Sequence, residues 1–98
     1  MQKIRAVCKR PTVKRDWTWI DQISRAALSI MANIAEGSEM HTKAHQVSYY
    51  YRAKGSSTEV DNHVELSFDL HYVTLLEHED IADHCARLSY LLKKLIES

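Results

Sequence analysis

Apolar residues recur with the period of an α-helix in four segments of this chain. In the second segment successive apolar positions are three or four residues apart, so they share one face of a helix. These positions are Ile20, Ile23, Ala27, Ile30 and Ile34. Gly37 follows them, and a glycine at that place can end a helix with a positive φ at little steric cost. The pattern therefore predicts a helix over residues 17–36.

The first and third segments predict a short helix and a long one. Apolar residues over 1–10 include Met1, Ile4 and Val7, and Pro11 then ends the helix. From residue 43 to residue 73 an apolar stripe continues without a proline, which predicts one long helix. An interior glycine, Gly55, costs helix stability and indicates either a break or a close helix crossing. We favour the crossing because the stripe keeps its register on both sides.

Short polar side chains mark the starts of the later helices. Asp16 and Thr42 are predicted N-caps. Thr74 and Glu77 have the spacing of a capping box, which predicts a fourth helix over residues 75–97. Trp17 and Trp19 lie at the start of the second helix, where we expect both rings to cover the end of a bundle with their indole N–H groups near water.

Together these segments predict one all-α domain over residues 1–98. Three long helices and a shortened first helix, joined by brief connections, indicate an antiparallel up-and-down four-helix bundle. Only two glycines and one proline occur, which argues against a β-sheet protein. No apolar run approaches the roughly 20 residues that span a bilayer. We therefore expect a soluble cytoplasmic protein without membrane contact.

The net charge of zero conceals a gradient along the chain. Residues 1–16 carry six basic groups and one acidic group, whereas residues 55–98 carry nine acidic and three basic groups. The basic residues are Lys3, Arg5, Lys9, Arg10, Lys14 and Arg15. They are candidates for binding RNA or DNA phosphates. The alternative, which we consider safer, is that they pair with the acidic C-terminal helix of the same or a neighbouring chain.

No motif in the sequence predicts a cofactor, a metal site or a catalytic residue. Six histidines are present, but zinc needs three or four converging ligands and neither Cys-x-x-Cys nor His-Glu-x-x-His occurs. A glycine-rich phosphate loop and a nucleophile elbow are also missing. Three consecutive tyrosines, residues 49–51, could stack on bases, but they cover so much of a helix circumference that we expect at least one to be packed inside.

Several motifs resemble one bacterial family. The segment QISRAALSIMANIAEG over residues 22–37 resembles the signature of the four-helix bundle proteins encoded in intervening sequences of 23S ribosomal RNA genes. The resemblance covers about residues 11–98 and includes two further motifs with the family's spacing. These are Ala53, Gly55, Ser56 and Glu59, followed by Asp69, Leu70, Tyr72 and Val73. The first helix is about half the family's usual length, and Gln46 and Arg52 replace residues that are usually apolar.

The resemblance implies a non-enzymatic homo-oligomer, commonly a pentamer. Related accessory variability proteins of diversity-generating retroelements bind nucleic acid and a reverse transcriptase through a basic surface, so both are expected partners. The function predicted for this chain is an oligomeric scaffold that binds nucleic acid or a nucleic-acid enzyme. The alternatives are a purely structural bundle without a ligand and, least favoured, a small metal-dependent hydrolase.

Five polar residues coincide with the family's motifs: Arg25, Asn33, Glu36, Ser56 and Glu59. One interpretation is a binding site. The favoured interpretation is a network of satisfied polar groups that sets the register between the second and third helices, because half-buried polar groups need partners.

Overall fold

The predicted antiparallel four-helix bundle is confirmed by the computed structural model, which describes residues 2–98. The helices are α1 (Gln2–Cys8), α2 (Trp17–Glu39), α3 (Lys43–Asp69) and α4 (Leu75–Glu97). No strand occurs within the described residues. Met1, which the sequence places at the start of the first helix, lies outside them.

The three later helices begin where their capping residues predict. The carboxylate of Asp16 accepts a hydrogen bond from the Trp19 amide at 3.0 Å. Thr42 similarly accepts from the amide of His45 at the start of α3. Both hydrogen bonds of the Thr74 and Glu77 capping box are present. Each bond satisfies an amide that has no partner inside its own helix, so local sequence sets these boundaries.

The long helix α3 is the centre of the molecule, which measures 45 × 22 × 18 Å. It packs against α2 and against α4, whereas no Cα atom of α2 lies within 8 Å of a Cα atom of α4. α1 contacts α2, and residues of both α1 and α4 enclose a shared cavity. The short first helix therefore fills only one end of the space between α2 and α4.

This arrangement divides the core into two unequal parts. The larger cluster surrounds α1 and includes Ile4, Val7, Ile23, Val64 and Ile81. The smaller cluster, at the other end of the bundle, contains only Tyr50, Ala53 and Leu92 as buried members. Tyr50 is the buried member of the tyrosine run, as expected. The far end has fewer buried side chains because only three helices meet there.

α1 ends at Cys8, two residues earlier than predicted, and the connector that follows is not wholly polar. Residues 9–15 form successive turns, in which the amides of Val13 and Lys14 both donate to the Arg10 carbonyl. Val13 is fully buried. Burial of this one side chain anchors the connector to the core. The sequence did not indicate this contact, because the residues on either side of Val13 are polar.

The expectation that Gly37 ends α2 is wrong. None of the glycines has a positive φ, and the helix continues to Glu39. Gly37 is buried, and a Cβ built on it would lie 2.7 Å from Cε1 of Tyr50 and 3.1 Å from Cβ of Tyr49. The glycine is therefore explained by the close approach of α3 and not by the geometry of a helix end.

The close crossing expected at Gly55 does not exist. α3 runs through this position without a break, but a Cβ added to Gly55 would have no other atom within 4 Å. The exposed glycine faces away from the neighbouring helices. Small residues do lie at the α3 contacts, but these are Ala53, Ser56 and Ser57.

α3 also ends earlier than the predicted residue 73. His71 adopts a left-handed conformation with φ of 61°, so the chain leaves the helix there. The Tyr72 amide donates to the Ser67 carbonyl and the His71 amide donates to the Phe68 carbonyl. This pair of bonds defines a Schellman motif with histidine at the position that glycine usually occupies. The apolar stripe continued past residue 69 and hid this helix end.

Trp17 and Trp19 have different environments, contrary to the expectation that both indole groups lie near water. Trp19 is buried, and its Nε1–H donates to the hydroxyl of Ser67. Its ring meets Tyr72 edge to face, with 5.4 Å between centroids. Trp17, two residues earlier, remains exposed. A helix turns by about 200° over two residues, so only one of the two rings can face the core.

Candidate nucleic-acid interface

Two of the six candidate basic residues form ion pairs with α4. Lys3 contacts the carboxylate of Asp80, and Arg10 contacts that of Glu77. These contacts join the basic start of the chain to its acidic final helix. The alternative interpretation of the charge gradient, intramolecular pairing, therefore describes Lys3 and Arg10.

Arg10 makes the more extensive of the two pairs. Its Nη1 donates to Oε1 of Glu77 at 2.7 Å and to the Tyr72 carbonyl at 3.1 Å, while Nη2 contacts Oε2. The hydrogen bonds from Arg10 lower the pKa of Glu77 to about 2. The same carboxylate accepts from the Thr74 amide in the capping box. Arg10 therefore fixes the connector to the start of α4.

The other four basic residues are arranged differently. Lys9, Lys14 and Arg15 line a groove of about 500 Å³ together with Pro11 and Trp17. Arg5 is exposed on α1. Within residues 2–98, none of these four side chains has an ion-pair partner. We call Lys9, Lys14, Arg15 and Trp17 the basic groove.

The basic groove is held by groups on either side of it. Val13, which lies in the chain between Pro11 and Lys14, is fully buried, and the Asp16 amide donates to the Val13 carbonyl at 2.8 Å. Asp16 also accepts a hydrogen bond from the Tyr72 hydroxyl at 2.7 Å. That bond and the one from the Trp19 amide lower the pKa of Asp16. This carboxylate is thus ionised at neutral pH and already engaged by two donors.

Two of the five predicted network residues are joined, but through a residue that the sequence did not single out. Ser56 on α3 donates to the hydroxyl of Ser29 on α2 at 2.8 Å. Asn33 donates to the same hydroxyl at 3.0 Å and to the Ser29 carbonyl at 2.8 Å. This chain of bonds lies at the α2 and α3 contact, where satisfied polar groups favour one helix register.

The other three predicted network residues are exposed. Arg25 pairs with Asp21 on its own helix at 3.1 Å. Arg25 and Glu59 border a shallow groove between α2 and α3. Within the described part of the chain, neither Glu36 nor Glu59 forms an ion pair. Side chains with this exposure contribute little to helix register.

A second large groove is apolar and lies between α2 and α4, beyond the N-terminus of α1. It encloses about 500 Å³, and its apolar lining includes Ile30, Met31, Ile81 and Leu88. Met31 is 56% exposed. α1 occupies one end of the space between α2 and α4, and the groove is its open continuation.

Neither a metal site with three or more ligands nor a membrane-spanning helix is found in residues 2–98. No group of three histidine, cysteine, aspartate or glutamate side chains is placed to hold a metal ion there. No helix in that range combines the length and apolar character needed to cross a bilayer.

Sequence reasoning missed three residues that shape these sites. Ser29 was hidden because serine is common on helix surfaces, and Val13 because its neighbours are polar. Trp17 was grouped with Trp19, although the apolar spacing of α2 could have separated them: Trp19 is four residues before the buried Ile23, whereas Trp17 is six residues before it. Helical phase therefore held a signal for the exposed tryptophan.

Comparison with known proteins identifies relatives of the whole bundle. A family model described as 23S rRNA-intervening sequence protein matches residues 1–94. The crystal structure of a protein of unknown function from the S23 ribosomal protein family of Bacteroides thetaiotaomicron VPI-5482 superposes with a TM-score of 0.88 at 22% identity, covering 99% of this chain and 90% of that one. This similarity in structure extends over α1 as well as the three long helices. No curated protein matches the sequence.

Proposed function

The chain belongs to the 23S rRNA-intervening sequence protein family, and from that premise we propose that it is a non-enzymatic scaffold protein that binds nucleic acid through the basic groove. One observation supports this most strongly. Lys9, Lys14 and Arg15 meet at one groove, while Lys3 and Arg10 are engaged by α4.

The difference between the two groups of basic residues is physical. Arg10 neutralises the carboxylate of Glu77, which caps the start of α4. If Arg10 bound a phosphate, Glu77 would lose this ion-pair partner. Lys9, Lys14 and Arg15 can contact phosphates without breaking an ion pair of the described chain. Contacts of this kind release counterions from nucleic acid, so the affinity should fall as the salt concentration rises.

A salt-dependent binding measurement tests the proposal. We expect purified protein to retard structured RNA in a mobility-shift assay at low salt, with weaker retention as salt increases. The double variant Lys14→Ala and Arg15→Ala should lose most of this retention. Arg25→Ala is the control, because Arg25 is exposed and lies outside the residues that line the groove. Absence of retention by the wild-type protein at low salt would overturn the proposal.

Self-association is a second proposed property, supported by the apolar groove between α2 and α4. A groove that exposes Met31 and continues the site occupied by α1 can bury further apolar surface against a second copy of the chain. Each wall is a long helix held by α3, so the surface is largely preformed. A pentamer is the assembly that the family resemblance implies. Several copies would repeat the basic groove and raise the avidity for one nucleic acid.

Light scattering during size-exclusion chromatography tests this second property. We expect the wild-type protein to elute as an oligomer and Met31→Glu to elute as a monomer, since a charge in the apolar groove would be desolvated on assembly. Leu76→Glu is the control, because Leu76 is 78% exposed and lies at the start of α4, away from the groove. A wild-type monomer at high protein concentration would contradict self-association. A monomer that also fails to retain RNA would favour the purely structural alternative. A reverse transcriptase partner stays a prediction.

A further inference from the structure

Trp17 gives the basic groove a property that positive charge alone lacks. Its side chain is 74% exposed, whereas Trp19 on the same helix is 5% exposed. Tryptophan presents a large flat apolar surface, which is costly to leave in water without a contact. In the basic groove this ring stands beside Lys9, Lys14 and Arg15.

The backbone around the ring is fixed before any ligand binds. Trp17 is the first residue of α2 and follows its N-cap, Asp16. Val13 anchors the preceding connector, and the Lys14 amide donates to the Arg10 carbonyl at 2.8 Å. Arg10 is itself held by Glu77. The indole and the cations are therefore carried by anchored segments, which reduces the entropy lost on binding.

An aromatic face next to cations matches the chemistry of an unpaired nucleotide. Every nucleobase has a π-face that can stack on an indole, and its phosphate is available to lysine and arginine. In a duplex the base faces are covered by neighbouring bases, so only the phosphates and groove edges remain accessible. The groove volume of about 500 Å³ lies within the range typical of small-molecule sites.

We propose that Trp17 stacks on an unpaired nucleobase, so that the basic groove prefers single-stranded or looped nucleic acid to a duplex. This inference rests on the proposed nucleic-acid function and names the class of ligand. Lys9, Lys14 and Arg15 bind the phosphates on either side of the stacked base. The ring supplies the preference for unpaired strands, and the cations supply affinity that both kinds of strand share.

The test compares single-stranded oligouridylate with an RNA duplex of the same length, measured by fluorescence anisotropy of the labelled RNA. We expect Trp17→Leu to weaken single-strand affinity by about tenfold or more and to leave duplex affinity unchanged. Trp17→Phe keeps an aromatic face and should retain most of the affinity. Thermal unfolding of each variant should match the wild-type protein, because the ring is exposed.

A spectroscopic readout gives an independent check. In a Trp19→Phe background, Trp17 is the remaining tryptophan, and oligouridylate should quench its fluorescence more strongly than the duplex does. If Trp17→Leu binds both RNAs as the wild type does while the double variant Lys14→Ala and Arg15→Ala loses both, the stacking inference is overturned and the proposed function stands. If the wild-type protein binds neither RNA at low salt, both fail. If Trp17→Leu changes the size of the oligomer and leaves the affinity for both RNAs unchanged, Trp17 acts in assembly and the inference is also overturned.

Discussion

The guanidinium of Arg10 donates to both carboxylate oxygens of Glu77, a residue 67 positions later in the chain. Glu77 also completes the capping box of α4 by accepting from the Thr74 amide at 2.9 Å. One carboxylate thus links the local start of a helix to the connector between the first two helices. Arg10, one of the six candidates for phosphate binding, is thus paired within its own chain, as the alternative interpretation of the charge gradient expected.

Loss of this pair should destabilise the bundle. We expect Arg10→Ala to lower the free energy of unfolding by about 1–2 kcal/mol, because two charge-assisted hydrogen bonds are lost from a partly exposed pair. Arg5→Ala, which removes an exposed charge from α1, should change it by less than about 0.5 kcal/mol. Urea denaturation at neutral pH measures both. Equal effects of the two substitutions would show that the Arg10 pair contributes nothing specific.

Acid should weaken the same contact within a defined pH window. The pKa of Glu77 is lowered from 4.5 to about 2 in the folded protein. Its stabilising contribution is therefore complete above pH 4.5 and is lost as the pH falls toward 2. We expect this loss to be about 1–2 kcal/mol, allowing for solvent screening. Glu77→Gln keeps a capping side chain but has no charge to titrate, so its urea-denaturation stability should approach that of the wild type in acid. Parallel pH curves would contradict the assignment.

The two glycines should respond oppositely to alanine. Gly37→Ala places a methyl group 2.7 Å from the ring of the buried Tyr50, so we expect a loss of about 1 kcal/mol after the gain in helix propensity. Gly55→Ala adds the same methyl group in open space on α3 and should stabilise the protein by about 0.5–1 kcal/mol. Thermal unfolding separates the two outcomes. Stabilisation by both substitutions would show that the ring of Tyr50 moves aside freely.

Trp19 and Ser67 should be energetically coupled. Ser67 is fully buried and its hydroxyl accepts from the Trp19 indole. Ser67→Ala leaves that N–H without a partner in the core, which should cost about 1–3 kcal/mol. Once Trp19→Phe has removed the donor, the same serine substitution should cost much less. A double-mutant cycle in urea measures the difference, and additive effects would argue against the bond.

Glycine at position 71 should stabilise the end of α3. His71 has a φ of 61°, a conformation that is unfavourable for a residue with a Cβ and easy for glycine. We expect His71→Gly to raise the free energy of unfolding by about 0.5 kcal/mol, since the extra freedom of glycine in the unfolded chain offsets part of the gain. Leu70→Gly is the neighbouring control: Leu70 has an ordinary φ of −83°, so it should lose stability. Chemical denaturation of both variants decides the matter.

Features that depend on neighbouring residues in the chain could be predicted. Asp16, Thr42 and Thr74 each accept an amide hydrogen bond from a residue three positions later, so the spacing alone identified these helix starts. The buried face of α2 could be predicted in the same way, because the burial of Ile23 and Ala27 follows from the helical period of the apolar residues. The end of α3 was harder to predict, because histidine is an uncommon residue at the left-handed position that ends a helix.

The sequence by itself determined four helices, their starts and the bundle they form, because capping and apolar periodicity act over only a few residues. Tertiary structure alone decided which cations are paired and why Gly37 is small. Those outcomes depend on distances between residues far apart in the chain, such as Arg10 and Glu77. Such distances are fixed only when the helices pack together.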